Sequence, residues 1–406
     1  MQRAHKIRLN PTPEQEQYFR QACGIARFCF NWGLAEWKHQ YEEGGKSSAY
    51  ALKKQFNAIK QEQFPWIYDV TKCAQDSGFR NLDVAFKNFF RRCKNGAAKK
   101  GYPNFKSRKR SRQSFRLDGS RVKADGHWLK IERLDAPINM AETLRFNGKI
   151  GSATISENAG YWYAAVNVEV ESPEHKHPQK SVGVDLGVKT LAVLSDGTQF
   201  ENQKLLRSEL RKVKRLNREL SRRQEGSGRW QRTRQKLARL HRRIADKRLD
   251  YQHKMTTEIA RTYQVIGVED LNVAGMLKNH CLALSLSDAG FGEIKRQLVY
   301  KAEQYGGIVV EVDQFFPSSR LCLECGCINS ELTLSDRAWA CSCGTVHKRD
   351  LNAARNIEAE VLRIVAGVGS RGRKTRVERN VRPQVGQSSV KRENMAEERQ
   401  PSRLAI

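Results

Sequence analysis

Two tight cysteine pairs constrain this 406-residue chain more than any other feature: Cys322-Leu323-Glu324-Cys325-Gly326 and Cys341-Ser342-Cys343-Gly344. Sixteen positions separate Cys325 from Cys341, enough chain for two hairpins to bring the pairs together. Glycine after each second cysteine lets the loop turn back, so that backbone N–H groups approach the sulfurs. Four thiolates on two such turns form a tetrahedral soft-donor set that suits zinc. With no position left for water, the zinc expected here is structural. The second pair is C-x-C rather than C-x₂-C, and Cys327 and His347 stand close enough to be substitute ligands. Cys23, Cys29, Cys73, Cys93 and Cys281 are scattered singly. Without an apolar signal peptide at Met1–Lys6, they read as reduced, buried small hydrophobes of a cytoplasmic protein.

Charge narrows the partners. Lys and Arg number 73 against 44 Asp and Glu, a net charge of +29. Such an excess repels itself and calls for an anionic partner, for which nucleic acid is the natural choice. No apolar run is long enough for an ordinary transmembrane helix, so no membrane partner is expected.

The hydrophobic period changes along the chain. A first strand ends at Pro11 and Pro13. Phe19, Cys23, Ala26, Phe30 and Leu34 then mark one helical face, and further helices fit 50–60 and 71–93. After a basic loop at 97–111 the period falls to two. Ser114–Leu117, Trp128–Ile131, Ala153–Ser156 and Trp162–Val170 read as strands of a small barrel, with a turn at Asn158-Ala159-Gly160. A hairpin follows around Gly187-Val188-Lys189. The segment 204–254 carries nineteen Lys and Arg on a helical apolar pattern broken at Gly226-Ser227-Gly228. It reads as an antiparallel helical hairpin with one packed seam and nucleic-acid-facing charge. Short buried strands at 264–268 and 308–313 flank a helix at 292–305, and an amphipathic helix fits 351–365.

Three carboxylates stand at the ends of such elements. Asp185 closes Gly183-Val184-Asp185, Glu269 closes Gly267-Val268-Glu269, and Asp350 opens the last strong helix. Alone, each is an ordinary turn or cap residue. Together they could converge at one sheet edge and hold Mg²⁺, which takes few carboxylates and keeps positions open for phosphate oxygens. Two such ions would serve phosphodiester hydrolysis.

The residues that carry a family resemblance run in order through about 1–360. They include Lys6-Ile7-Arg8-Leu9-Asn10-Pro11-Thr12, Ala26-Arg27-Phe28-Cys29-Phe30-Asn31-Trp32 and Gly101-Tyr102-Pro103-Asn104-Phe105-Lys106-Ser107. Gly183-Val184-Asp185-Leu186-Gly187, Val268-Glu269-Asp270-Leu271, Tyr300-Lys301-Ala302 and Phe316-Pro317-Ser318-Ser319 follow. The cysteine pairs and Arg349-Asp350-Leu351-Asn352-Ala353-Ala354-Arg355-Asn356-Ile357 close the series. In these the chain resembles the TnpB/OrfB family, transposon-encoded RNA-guided DNA endonucleases, and is similar to the compact RuvC-type nucleases of type V CRISPR systems. Where that family often has His-Asp-Arg-Asp, this chain has His347-Lys348-Arg349-Asp350.

The resemblance implies a multidomain α+β protein. A small β-barrel (wedge) at 1–13 and 97–172 would carry an inserted helical recognition lobe at 14–96. A linker at 173–180 would lead to a ribonuclease-H-like (RuvC) α/β domain at 181–317 and 345–366, including the basic hairpin 204–254. A zinc ribbon at 318–344 would interrupt that domain, and a basic disordered tail would occupy 367–406. Asp185, Glu269 and Asp350 would be the catalytic, magnesium-binding acids, and Cys322, Cys325, Cys341 and Cys343 the zinc ligands. Guide RNA from the chain's own element would act as a nucleic-acid cofactor. The target would be double-stranded DNA beside a short motif, with the protein a monomer or weak dimer in the bacterial or archaeal cytoplasm, on the nucleoid. The rival expectations are a zinc-ribbon regulator of transposition that binds without cutting, and an RNA-independent transposase.

Overall fold

The computed structural model describes residues 1–171, 180–333 and 335–367. Most of the expected linker and the basic tail beyond Gly367 therefore lie outside the described residues. The chain divides into two compact units, Met1–Glu174 with Lys204–Tyr251, and His175–Gln203 with Gln252–Ile406. No described helix is long and apolar enough to cross a membrane.

The first unit is built on a seven-stranded antiparallel sheet. Its strands are β1 (Gln2–Asn10), β2 (Ser114–Asp118), β3 (Val122–Asp125), β4 (Trp128–Ile131), β5 (Ile138–Met140), β6 (Lys149–Asn158) and β7 (Tyr161–Glu169), in the order β2-β6-β7-β1-β5-β4-β3. The sheet curls until β3 touches β6, which makes a nearly closed barrel. In β1 the side chains alternate, with His5, Ile7 and Leu9 inside and Lys6 and Arg8 outside. The β6–β7 turn places Ala159 and Gly160 at φ 54° and 77°, the left-handed pair that a two-residue hairpin needs.

Three helices, α1 (Pro13–Glu42), α2 (Ala49–Gln63) and α3 (Lys72–Lys94), pack on this barrel. Thr12 and Gln15 form a reciprocal capping box that starts α1, with Pro13 in its first turn. Phe19 of α1 lies 5.0 Å from the Trp162 ring of β7. One apolar core therefore runs from the helices into the barrel.

The basic segment forms α4 (Leu205–Ser208), α5 (Leu210–Ser221) and α6 (Gly228–Thr262). Its packed seam is Val213 and Leu216 against Leu240 and Ile244. The start of α6 docks on the outside of the barrel through charge over aromatic rings. Arg8 and Arg239 sit 4.1 and 4.6 Å from the Tyr161 ring centre, and Arg242 sits 4.0 Å from that of Tyr163. Sequence periodicity ended this hairpin at Lys254, whereas the helix continues to Thr262. Met255, Ile259 and Ala260 are buried along this continuation.

In the second unit, β8 (Ser181–Leu186), β9 (Thr190–Leu194), β10 (Gln199–Glu201), β11 (Val265–Glu269) and β12 (Ile308–Val312) form a sheet in the order β10-β9-β8-β11-β12. β8, β11 and β12 run parallel, while β9 and β10 are antiparallel additions. Between β11 and β12 come α7 (Val273–Met276), α8 (Ala283–Ala289) and α9 (Phe291–Gln304). Lys301 of α9 is buried against α6, and its ammonium donates to His253 O, Thr256 Oγ1 and Thr257 Oγ1 at 2.7–2.8 Å. Burial pushes that amine down to about 8. The unit closes with a two-stranded hairpin, β13 (Ala338–Ala340) and β14 (Val346–Lys348), which feeds directly into α10 (Arg349–Val365). The sequence reading did not find β3, β5, β10, α7, α8, β13 or β14, all too short to show a period.

Candidate active site and metal centre

β8 and β11 carry matching Gly-Val-acid triplets at or next to their carboxyl ends, Gly183-Val184-Asp185 and Gly267-Val268-Glu269. They pair in parallel register, with Gly183 opposite Gly267 and Val184 opposite Val268. Asp185 and Glu269 therefore leave the carboxyl ends of adjacent strands, where open α/β sheets gather their ligands. Because residues i and i+2 share a face, each acid lies on the same side as its glycine. That side is where α10 packs. A β-carbon on Gly183 would stand 1.9 Å from Ala354 O, and one on Gly267 would stand 2.7 Å from a methyl of Val361. The two glycines are the smooth strip on which α10 rests, and α10 brings Asp350 in its first turn.

Electrostatics register the convergence. The Asp185 carboxyl is pushed up to about 7, by burial first and then by the charges of Glu269 and Asp350, with Arg349 opposing. Like charges under partial burial are what a hard divalent cation would neutralise, and an all-oxygen donor set suits magnesium. Arg337, just before β13, lies 3.8 Å from Asp350 Oδ1. The Ser318 hydroxyl donates to Glu269 Oε1.

The cysteine set is tighter. The sulfurs of Cys322, Cys325, Cys341 and Cys343 all lie within 4.8 Å of one another, and no other set of three or more metal-binding side chains among the described residues gathers so closely. The two knuckles are built alike. Gly326 N bonds Cys322 O at 3.0 Å and Gly344 N bonds Cys341 O at 2.9 Å, with φ at 74° and 88° for the two glycines. Substitution of any side chain there would strain the turn. The Thr345 hydroxyl beside Cys343 and the Thr345 backbone hold that thiol down at about 6. Of the expected substitutes, His347 lies with Nε2 3.1 Å from Cys322 Sγ. It adjoins the buried member of the set without joining its donor atoms.

Three family profiles match the chain. OrfB_IS605, described as "Probable transposase", covers residues 165–280, which include Asp185 and Glu269. The Cas12f1-like TNB domain covers 291–357, with the cysteine pairs and Asp350. The helix-turn-helix domain of OrfB_IS605 covers 1–46, where this structure has β1 and the long α1. A protein of Streptomyces pristinaespiralis is 33% identical, over 97% of this chain and 96% of its own length. The chain belongs to the OrfB/TnpB family. That relative is named "Putative RNA-guided DNA endonuclease". A second, from Escherichia coli strain K12, is named "Putative RNA-guided DNA endonuclease InsQ" and is 33% identical, over 88% of this chain and 91% of its own. Among solved structures, a Cas12f1–sgRNA–target DNA complex aligns over 88% of this TnpB-family chain and 99% of its own, with 17% identity and a TM-score of 0.34.

Sequence reasoning named the three acids and four cysteines but missed Ser318, Gly267 and the asparagines of α10. The repeated Gly-Val-acid ending was the available signal for Gly267. Ser318 stood in the motif Phe316-Pro317-Ser318-Ser319 but was given no role, because its role depends on where a loop lands.

Proposed function

We propose that this chain is an RNA-guided DNA endonuclease of an insertion sequence. It would carry a guide RNA from its own element and cut double-stranded DNA beside a short motif. The observation that carries the reading is that Asp185 and Glu269 stand at the carboxyl ends of a parallel strand pair, with Asp350 in the first turn of the helix packed on that pair, in a protein of charge +29. The names of the full-length relatives support it. The sheet, with its parallel core and α10 across it, would be a ribonuclease-H-like nuclease domain, with the cysteine set as a structural zinc ribbon inserted before α10.

The chain's own residues do three things in this account. Asp185 and Glu269, fixed to adjacent strands, supply two carboxylates at constant spacing. Asp350 comes from the first turn of α10 and would be the third carboxylate to hold Mg²⁺. When bound, two such ions supply Lewis acidity for water attack and for the departing 3′ oxygen, leaving a 5′ phosphate. The barrel, helical lobe and basic hairpin hold RNA and the RNA–DNA heteroduplex through phosphates, so that base pairing selects the sequence. The protein would act as a monomer or weak dimer on nucleic acid.

Asp185→Ala is expected to abolish DNA cleavage while RNA affinity stays within about threefold, since phosphate contacts lie elsewhere. Cleavage by this variant at the wild-type rate would remove the site assignment. The description "Probable transposase" favours a second reading, strand transfer without RNA. Joined rather than cut ends in RNA-free reactions would mark it.

A further inference from the structure

Glu269 differs from the other two acids in having a dedicated hydroxyl donor, and the loop that supplies it is clamped at several points. Ser318 is buried, at 5% exposure, and its Oγ donates to Glu269 Oε1. A hydroxyl in this position occupies one lone pair of one carboxylate oxygen and leaves the second oxygen for a cation.

The loop is held from α10. Asn356, also buried, donates from Nδ2 to Ser318 O and to Leu321 O, both at 2.7 Å. Asn352, one turn earlier, donates to Leu321 O at 2.8 Å. Leu321 N in turn closes on Pro317 O at 2.9 Å. Two asparagines four residues apart on the buried face of a helix are costly unless their amides are used. Here both Nδ2 groups donate to residues 318–321, while Asn352 Oδ1 is buried without a hydrogen-bond partner. The helix that carries Asp350 thus also sets the hydroxyl that aims Glu269.

We infer that Ser318 is the positioning residue for Glu269, and that the Asn352–Asn356 clamp on α10 fixes Ser318, so that two acids from separate elements are set by one helix. The inference rests on the reading of Asp185, Glu269 and Asp350 as the cation-binding acids. Ser318 touches no substrate in this scheme and acts only through Glu269.

The test measures Mn²⁺ binding by titration calorimetry on the full, zinc-loaded chain with its RNA, alongside the Mg²⁺ concentration for half-maximal DNA cleavage. Ser318→Ala is expected to weaken Mn²⁺ binding and to raise the Mg²⁺ midpoint by about tenfold, the usual effect of losing a hydrogen bond to a metal-binding carboxylate. Saturating Mg²⁺ should restore most of the cleavage rate. Ser318→Thr keeps the hydroxyl and is expected to return both values to wild type. A general packing defect would instead lower the rate at every Mg²⁺ concentration, and that result would overturn the inference. Wild-type Mn²⁺ affinity in Ser318→Ala, with binding lost in Asp185→Ala, would also overturn it while leaving the site intact. Wild-type affinity in both variants would overturn the site itself.

Discussion

At the scale of single residues, the glycines beside the acids matter as much as the acids. Gly183 and Gly267 face each other across β8 and β11 under α10. A methyl on Gly183 would meet backbone atoms of Ala354 and Glu358 at 1.9 and 2.6 Å, which no rotamer change can relieve. Gly183→Ala is therefore expected to cost about 3 kcal/mol or more through overpacking. Hydrogen exchange should show faster opening of α10 and β8, with the barrel unit unchanged. Wild-type protection in α10 would mean that the helix does not rest on this strip. The motif Gly183-Val184-Asp185 was legible in the sequence, yet its glycine has a meaning there only once the partner helix is known. Tyr161 and Tyr163 make the same point, since the expected strand at Trp162–Val170 held Tyr163, with Tyr161 just before it, but gave no hint of the arginines of α6 that cover them.

At the scale of elements, long periodic segments were readable and short ones were not. Helices α1, α3, α9 and α10, and strands β1, β8 and β11, follow from apolar spacing alone. The three-residue strands β13 and β14 follow instead from the cysteine turns at their ends, which no period reports. This hairpin deserves a direct test because it leads straight into Asp350. Cys341→Ser is expected to reduce bound zinc from about one equivalent per chain to almost none. It should also open the ribbon to proteolysis, because among the described residues its apolar core is small: Cys322, Leu332 and Trp339 with Cys341 beside them. Retention of zinc in this variant, with loss in His347→Ala, would move the ligand set to His347.

At the scale of the whole molecule, composition pointed to a polyanionic partner, and the acids carry the proposed chemistry. Self-repulsion from a charge of +29 is relieved by polyanions, and the basic α5–α6 hairpin concentrates that charge beside the barrel. Which RNA would be bound, and which DNA motif would be read under the proposed function, depends on scattered side chains that no sequence period marks. The continuous core from α1 into β7 was likewise hidden, because contacts such as Phe19 with Trp162 join residues far apart in the chain. The measurement that bears most directly on the account is to express the chain with its native flanking DNA and sequence the RNA that co-purifies. The variable end of that RNA is then replaced, and the DNA that is cut is mapped. The account expects one discrete RNA with a fixed scaffold, and cleavage that follows the replaced segment to its new target. Random cellular RNA, with cleavage indifferent to the replacement, would contradict it.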